Sequence, residues 1–450
     1  MPASITGLAF RQFTFIACSV SVLTGGSLLT PGLASAQEHA AAVASRADPL
    51  SLAAVYGAVD RGSPRIRAAA ALARAARARV AGSTRPPDPT LQLGLMNYML
   101  PELRSDPALG MRQLQVMQML PLPGKLRAAG DAARSRTLAA ELRVSEVRLT
   151  SRAAAAMAFV ERWGAEHQAT IALETRRLLE DAAAVASSMY RVGDGRQVDV
   201  LRAQVEIARM DEEVIRMRTM GESALARLAA AVDLPIDSVS GVPSLPSFPD
   251  SLLSAEALVA MSIASRPMLA AGVADVEAAS ADLRLATRER WPDPQVGFQY
   301  GERSGAMGTD RMGSVMVGAT IPLWARSRQL AMRSEATAMR EMAEADLGAM
   351  RAETRGRVAE MHAAIVSSRR LASLYRTSIL PQAEAAAASA LVAYRASTVD
   401  FMTVVENRMT VNRYRQELVA LDAAQATAWI ELEMLLDRPL LTAANRNGGE

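Results

Sequence analysis

Between residues 90 and 98 apolar and polar positions alternate, with Leu91, Leu93 and Leu95 on one side and Gln92 and Gly94 on the other. Period two is the mark of a strand with one oily face. The run LQVMQML, ending at Leu120, alternates less tidily. Further on, QVGFQY sets Val296, Phe298 and Tyr300 against Gln295, Gly297 and Gln299, and SVMVGATI aligns Val315, Val317, Ala319 and Ile321. Each run lasts about 9 to 11 residues, what a tilted strand needs to cross a bilayer. The rest of the chain follows helical periods. After PLPGK there is no proline until Pro235, and before Gly193 only Gly130 and Gly164 intervene, so one helix is predicted from Leu126 to Tyr190. At ~1.5 Å per residue it is roughly 97 Å long and needs neighbours along its whole length. Residues 50–81 also read as helical. Near the C-terminus Val411, Tyr414, Leu418, Leu421, Gln425, Ala428, Leu432 and Leu435 follow the three-four spacing of a coiled-coil seam.

The pattern occurs twice. Tyr190 and Tyr394 are 204 residues apart, as are Asp233 and Asp437, and Pro235 and Pro439. Upstream, PPDPTLQLG answers WPDPQVGFQ and MLPLPGK answers TIPLWAR. The expected organisation is a signal peptide over 1–36 and a first repeat over 37–240, with a hairpin at about 88–121 and long helices at about 126–190 and 196–234. A linker over 241–250, GVPSLPSFPD, leads to a second repeat over 251–450, with a hairpin at about 293–323 and long helices at about 326–394 and 399–437.

Composition narrows the function. Aromatic residues make up 4% of the chain and alanine is abundant, which disfavours a large conventional core and permits close helix approach. The net charge is only +3 despite many arginines, and no basic run carries interleaved aromatics, so nucleic acid is not an expected partner. Arg11, the apolar run from Phe15 and the small residues Ala34 and Ala36 read as a secretory signal cleaved after Ala36. Cys18, the only cysteine, lies inside it; lipidation of Cys18 is the alternative to its removal, and the mature chain is left without disulfides or cysteine-metal chemistry. His39, His167 and His362 lack metal-ligand spacing, and no phosphate loop or nucleophile elbow is present, so neither an enzyme nor a cofactor is expected. The 24 methionines sit where methionine is ordinarily filler.

Four membrane-length strands cannot close a barrel alone, because open edges in lipid leave backbone groups unpaired at several kcal/mol each. Three copies supply twelve strands and, by the same symmetry, twelve long helices. The duplicated helix-hairpin-helix layout, the segment YRVGDGRQVDVLRAQ and the PLPGK exit resemble the TolC-like outer-membrane efflux proteins. That resemblance implies a mostly α homotrimer: a 12-stranded β-barrel in the outer membrane continuing as a periplasmic α-helical barrel. The duct would dock through a periplasmic adaptor on an inner-membrane resistance-nodulation-division pump. The short hairpins and PLPGK look closest to the heavy-metal (CzcC/CusC-like) branch, with metal cations or drugs as cargo. By the same resemblance the periplasmic gate maps onto Asp199, bonded to Tyr394 when shut, and onto acidic-ring positions Thr403 and Glu406, of which only Glu406 is acidic. The reinforcing basic residue falls at Val399, with Arg202 as a substitute. The tips Gly193, Asp194, Gly195 and Ala396, Ser397, Thr398 would face the adaptor, the two glycines supplying turn conformations other residues avoid. A periplasmic coiled-coil adaptor or scaffold is the rival reading; it accounts for the seam and leaves the strands without purpose.

Overall fold

The computed structural model describes residues 50–441 apart from 100, 102–103, 107–108, 237–240, 306–307, 322 and 325–326. The expected signal peptide, Cys18 and His39 lie outside the described residues. Helices α1 (Leu52–Gly62) and α2 (Pro64–Ser83) lead into strands β1 (Thr90–Met96), β2 (Tyr98–Met99), β3 (Arg104–Ser105) and β4 (Met111–Met119). Then come α3 (Pro123–Val192) and α4 (Gln197–Val232). The second copy supplies α5 (Ala255–Ser265), α6 (Pro267–Arg288), β5 (Asp293–Gly305), β6 (Gly308–Thr320), α7 (Gln329–Leu374), α8 (Leu380–Arg395) and α9 (Phe401–Leu436).

At 70 residues, α3 extends about 105 Å at ~1.5 Å per residue. Its 27 buried positions include 14 alanines, so neighbouring backbones approach closely. It packs against α2 and α4 of its own copy and, across the two copies, against α6 and α9. The main core joins Leu52, Val55 and Val59 of α1 to Phe159 of α3, Leu228 of α4, Ile365 of α7 and Trp429, Leu432 and Leu435 of α9. Of the seam positions, Val411, Leu421, Gln425, Ala428, Leu432 and Leu435 are buried.

Two helical expectations are corrected. The stretch expected as helix from Leu50 to Ala81 breaks at Ser63, where ψ is 119° ahead of Pro64. The second copy repeats the break at Arg266 (ψ 119°) ahead of Pro267. In both, a residue preceding proline is pushed out of the α region. The expected single helix over 326–394 is interrupted by a π-helical turn, Tyr375–Ile379, in which Leu380 N–H bonds to Tyr375 O. Pro381 follows immediately; proline lacks an N–H and clashes with the carbonyl a turn back, and the wider turn absorbs this.

The strands form one antiparallel sheet in the order β1-β4-β5-β6, with β2-β3 a small separate ladder at the tip of the first hairpin. The register stacks Leu91, Val116, Phe298 and Val315 in one row and Leu93, Leu114, Tyr300 and Gly313 in the next. This face is open: Leu93 is 82%, Val317 79% and Phe298 53% exposed. The opposite face carries Gln92, Gln115, Gln299 and Ser314 in one row, and Gln299 Nε2 donates to Gln113 Oε1 at 2.7 Å.

Candidate functional site

Two regions carry candidate function: the sheet and the helical turns at the opposite end of the long helices. On the apolar face of the sheet the hydrophobic rows end at Arg112, Glu302 and Arg311, whose row follows Tyr300. Tyr300 Oη donates to Glu302 Oε1 at 2.8 Å. At the other margin stand Trp291 and Trp324, 54% and 75% exposed. An apolar band bordered by aromatic rings and then charges is what a lipid-facing wall needs, since rings with a polar tip settle at the headgroup level. β1 and β6 each keep one edge without a partner strand among the described residues. No single described helix is long and apolar enough to cross a membrane.

The helical turns are built alike in both copies. Gly193 takes φ +89°, while its N–H bonds to Tyr190 O and that of Asp194 to Met189 O. Ser397 takes φ +54°, while its N–H bonds to Tyr394 O and that of Thr398 to Ala393 O. Both are Schellman closures with a left-handed residue after the last turn. The expectation that both glycines serve unusual conformations is corrected for Gly195: its φ is not positive, and it serves close approach, because a Cβ there would lie 2.7 Å from Tyr190 N. Ser397 holds the left-handed position without glycine, helped by Thr398, whose Oγ1 also donates to Ala393 O at 2.8 Å. Asp194, Ala396, Ser397 and Thr398 are all exposed.

Behind the turns lies a small core of Ala182, Ala186, Ala203, Ala390, Tyr394, Phe401, Val404 and Val405. Tyr394 is 4% exposed, its ring edge-on to Phe401 at 5.4 Å between centroids. Its first-copy counterpart Tyr190 is 47% exposed. The expected bond from Tyr394 to Asp199 is not made: the buried hydroxyl has no hydrogen-bond partner among the described residues. Burial, and after it the negative charge of Asp199, pushes the Tyr394 hydroxyl above its ordinary value. The two groups therefore sense each other without touching.

Thr403 is engaged elsewhere. Its amide and hydroxyl both donate to Asp400 Oδ1, at 3.0 and 2.8 Å, capping α9. These two bonds, then the charges of Arg196 and Arg202, hold the Asp400 carboxyl below the usual range. An acid at 403 would oppose Asp400 across the same cap, a physical reason for threonine there. Arg202 thus acts on Asp400, and among the described residues no ion pair joins it to Glu406. Glu406 is exposed with no ion pair among the described residues, so its carboxylate is not neutralised within its own helix. Val399, half-buried, packs against the tip core.

Three buried polar networks carried no signal in the residue spacing. Glu146 accepts from Arg266 Nη2 at 2.8 Å and Met268 N at 3.2 Å, while Arg266 Nη1 donates to Thr354 Oγ1 at 2.9 Å. Tyr56 Oη donates to Glu433 Oε2 at 2.8 Å and Leu441 N to Oε1 at 2.6 Å. Thr175 Oγ1 donates to Asn412 Oδ1 at 2.9 Å. His167 stacks on Trp163 at 4.4 Å, with Nδ1 2.8 Å from Trp163 O.

Among curated proteins no sequence relative matches the chain. Among solved structures, the outer-membrane channel OprN superposes with a TM-score of 0.75 at 20% identity, covering 87% of this chain and 90% of its own. VceC, an outer membrane protein of Vibrio cholerae, gives 0.74 at 18% identity over 86% and 96%. CusC, whose structures concern transmembrane channel formation, gives 0.72 at 17% identity over 86% and 92%. At such identities the likeness shows a shared fold, the duplicated helix-hairpin-helix plan. The model of the outer membrane efflux proteins matches residues 55–233 and 258–438, most of both copies, and the chain therefore belongs to the outer membrane efflux protein family.

Proposed function

We propose that three copies of this chain form the exit duct of a tripartite efflux system, passing cargo that an inner-membrane pump of the resistance-nodulation-division type delivers through a periplasmic adaptor. The observation that carries this is the sheet, whose exposed apolar face is bordered by tryptophan, tyrosine and charge and whose outer strands each keep one edge without a partner strand among the described residues. Edges cannot be left open in lipid, where each unpaired backbone group costs several kcal/mol. Three sheets joined β6 to β1 give twelve strands, an even number within the range of such barrels. The long helices then continue the wall into the periplasm, and the turns at Gly193–Gly195 and Ala396–Thr398 face the adaptor.

The gate lies just inside those turns, with Asp199 and Tyr394 as a latch made when the duct is shut and Glu406 as a ring of carboxylates favouring cations. Metal cations and drugs both remain as cargo classes; CusC is no nearer by identity than OprN or VceC. The reading is tested with purified protein in detergent. It is expected to run as a trimer before heating and a monomer after, and to open ion-conducting pores in a planar bilayer. A monomer that stays in solution without detergent and conducts nothing overturns it.

A further inference from the structure

Among the chain's 50 lysines and arginines, Lys125 is the only lysine. It lies in the first turn of α3 and its side chain is 4% exposed. Nζ donates to Trp291 O at 2.9 Å and to Asp293 Oδ2 at 2.8 Å, with Glu289 Oε2 at 3.6 Å. Two hydrogen-bond acceptors and a second carboxylate at ion-pair distance converge on one nitrogen, which suits the compact charge and freely rotating donors of an ammonium. A guanidinium spreads its charge and donors over a larger plane and cannot gather them at one atom. In a chain that uses arginine at every other basic position, including the buried pair with Glu146, this exception marks a place where size and donor geometry decide.

The surroundings show what is being held. Leu120 N bonds to Pro294 O at 2.9 Å and Leu122 N to Asp293 Oδ1 at 3.3 Å. From the other side Arg288 Nη1 donates to Gly124 O at 2.8 Å. The arginine lies across a glycine whose missing Cβ would sit 2.8 Å from Arg288 Nε. All these bonds run between residues 120–125 of the first copy and 288–294 of the second. They bracket the two places where the chain exchanges sheet for helix, β4 into α3 and α6 into β5.

We propose that Lys125 is the positioning residue of the sheet-to-helix junction, an ammonium clasp between the two copies that sets how the long helices leave the sheet, and that arginine cannot replace it. Because Lys125 is the sole lysine, an amine-reactive ester reads the site directly by mass spectrometry in the full-length protein in detergent. Acylation at Lys125 is expected to be at least about 100-fold slower in the native protein than in denaturant, because the amine reacts only through local opening. Asp293→Asn, which keeps the fold but weakens the clasp, raises that rate about tenfold. Lys125→Arg melts several degrees lower, whereas Lys125→Cys alkylated in denaturant with bromoethylamine, which restores an ammonium at nearly the same reach, recovers the melting point on refolding. Acylation as fast as in the unfolded chain, wild-type melting of the arginine variant, or no recovery on aminoethylation each overturns the proposal. None of these readouts uses conductance, so the clasp and the duct stand or fall separately.

Discussion

Tyr394 gives the sharpest test of the gate. Its hydroxyl is buried and has no hydrogen-bond partner among the described residues, while Asp199 is near enough to act on it electrostatically. A buried polar group left unpaired costs about 1–3 kcal/mol, and a bond from tyrosine to a carboxylate contributes about 1.5–3 kcal/mol. At ~1.4 kcal/mol per tenfold, making the latch favours the shut arrangement by roughly 10- to 150-fold per protomer. Tyr394→Phe removes both the orphan and the bond, leaving the packing on Phe401 intact. It is expected to raise the open fraction in single-channel recordings, Asp199→Ala to raise it by the same factor, and the double variant to raise it no further, since both act through one contact. Additive effects, or a phenylalanine variant gating like the wild type, would refute the latch.

Glu406→Gln is expected to lower cation preference, seen as a smaller reversal potential in a salt gradient. Val317→Arg puts a charge on the lipid-facing wall, at about 2–4 kcal/mol near mid-bilayer; the assembled, heat-sensitive form should be lost from the outer membrane while the unassembled chain still accumulates. Burial pushes the Glu433 carboxyl up, against the pull of the Leu441 amide and the Tyr56 hydroxyl. A raised folded value means the folded state keeps its proton to higher pH than the unfolded chain, so this group's contribution is whole below the ordinary carboxylate range and is lost as pH rises through the folded value. Tyr56→Phe withdraws a donor that matters most once Glu433 is ionised. Its destabilisation, followed by thermal loss of helix signal, should grow as pH rises above the ordinary carboxylate range; a loss that does not change with pH would argue against a buried titrating carboxylate.

Much of the architecture was legible in the residue pattern because it rests on local rules. Period two marked both faces of the strands, the long proline-free stretch after PLPGK marked α3, and the 204-residue offset paired positions that the structure shows in the same backbone state. Asp233 and Asp437 both end their helices left-handed, at φ 56° and 51°, as do Gly193 and Ser397. The expectation of several copies rests on the same pattern, since four strands offer too few hydrogen-bonding edges to close in lipid. The breaks before Pro64 and Pro267 are local too, but a proline also starts helices, and spacing alone did not separate the two roles.

What only the tertiary structure decided are contacts between residues far apart in the chain. Lys125 finds Asp293, Glu146 finds Arg266, and Tyr56 finds Glu433 because packed helices exclude water from those places, and a buried charge or hydroxyl there is costly unless the fold supplies a partner. The same holds for the proposed gate. That Thr403 donates to the capping carboxylate of Asp400, that Glu406 has no ion pair among the described residues and that Tyr394 is buried beside an acid it does not touch depend on how the helices are set against one another. Spacing along one chain fixes which face of a helix a residue occupies, whereas the neighbour that face meets is set by the packing of the whole bundle.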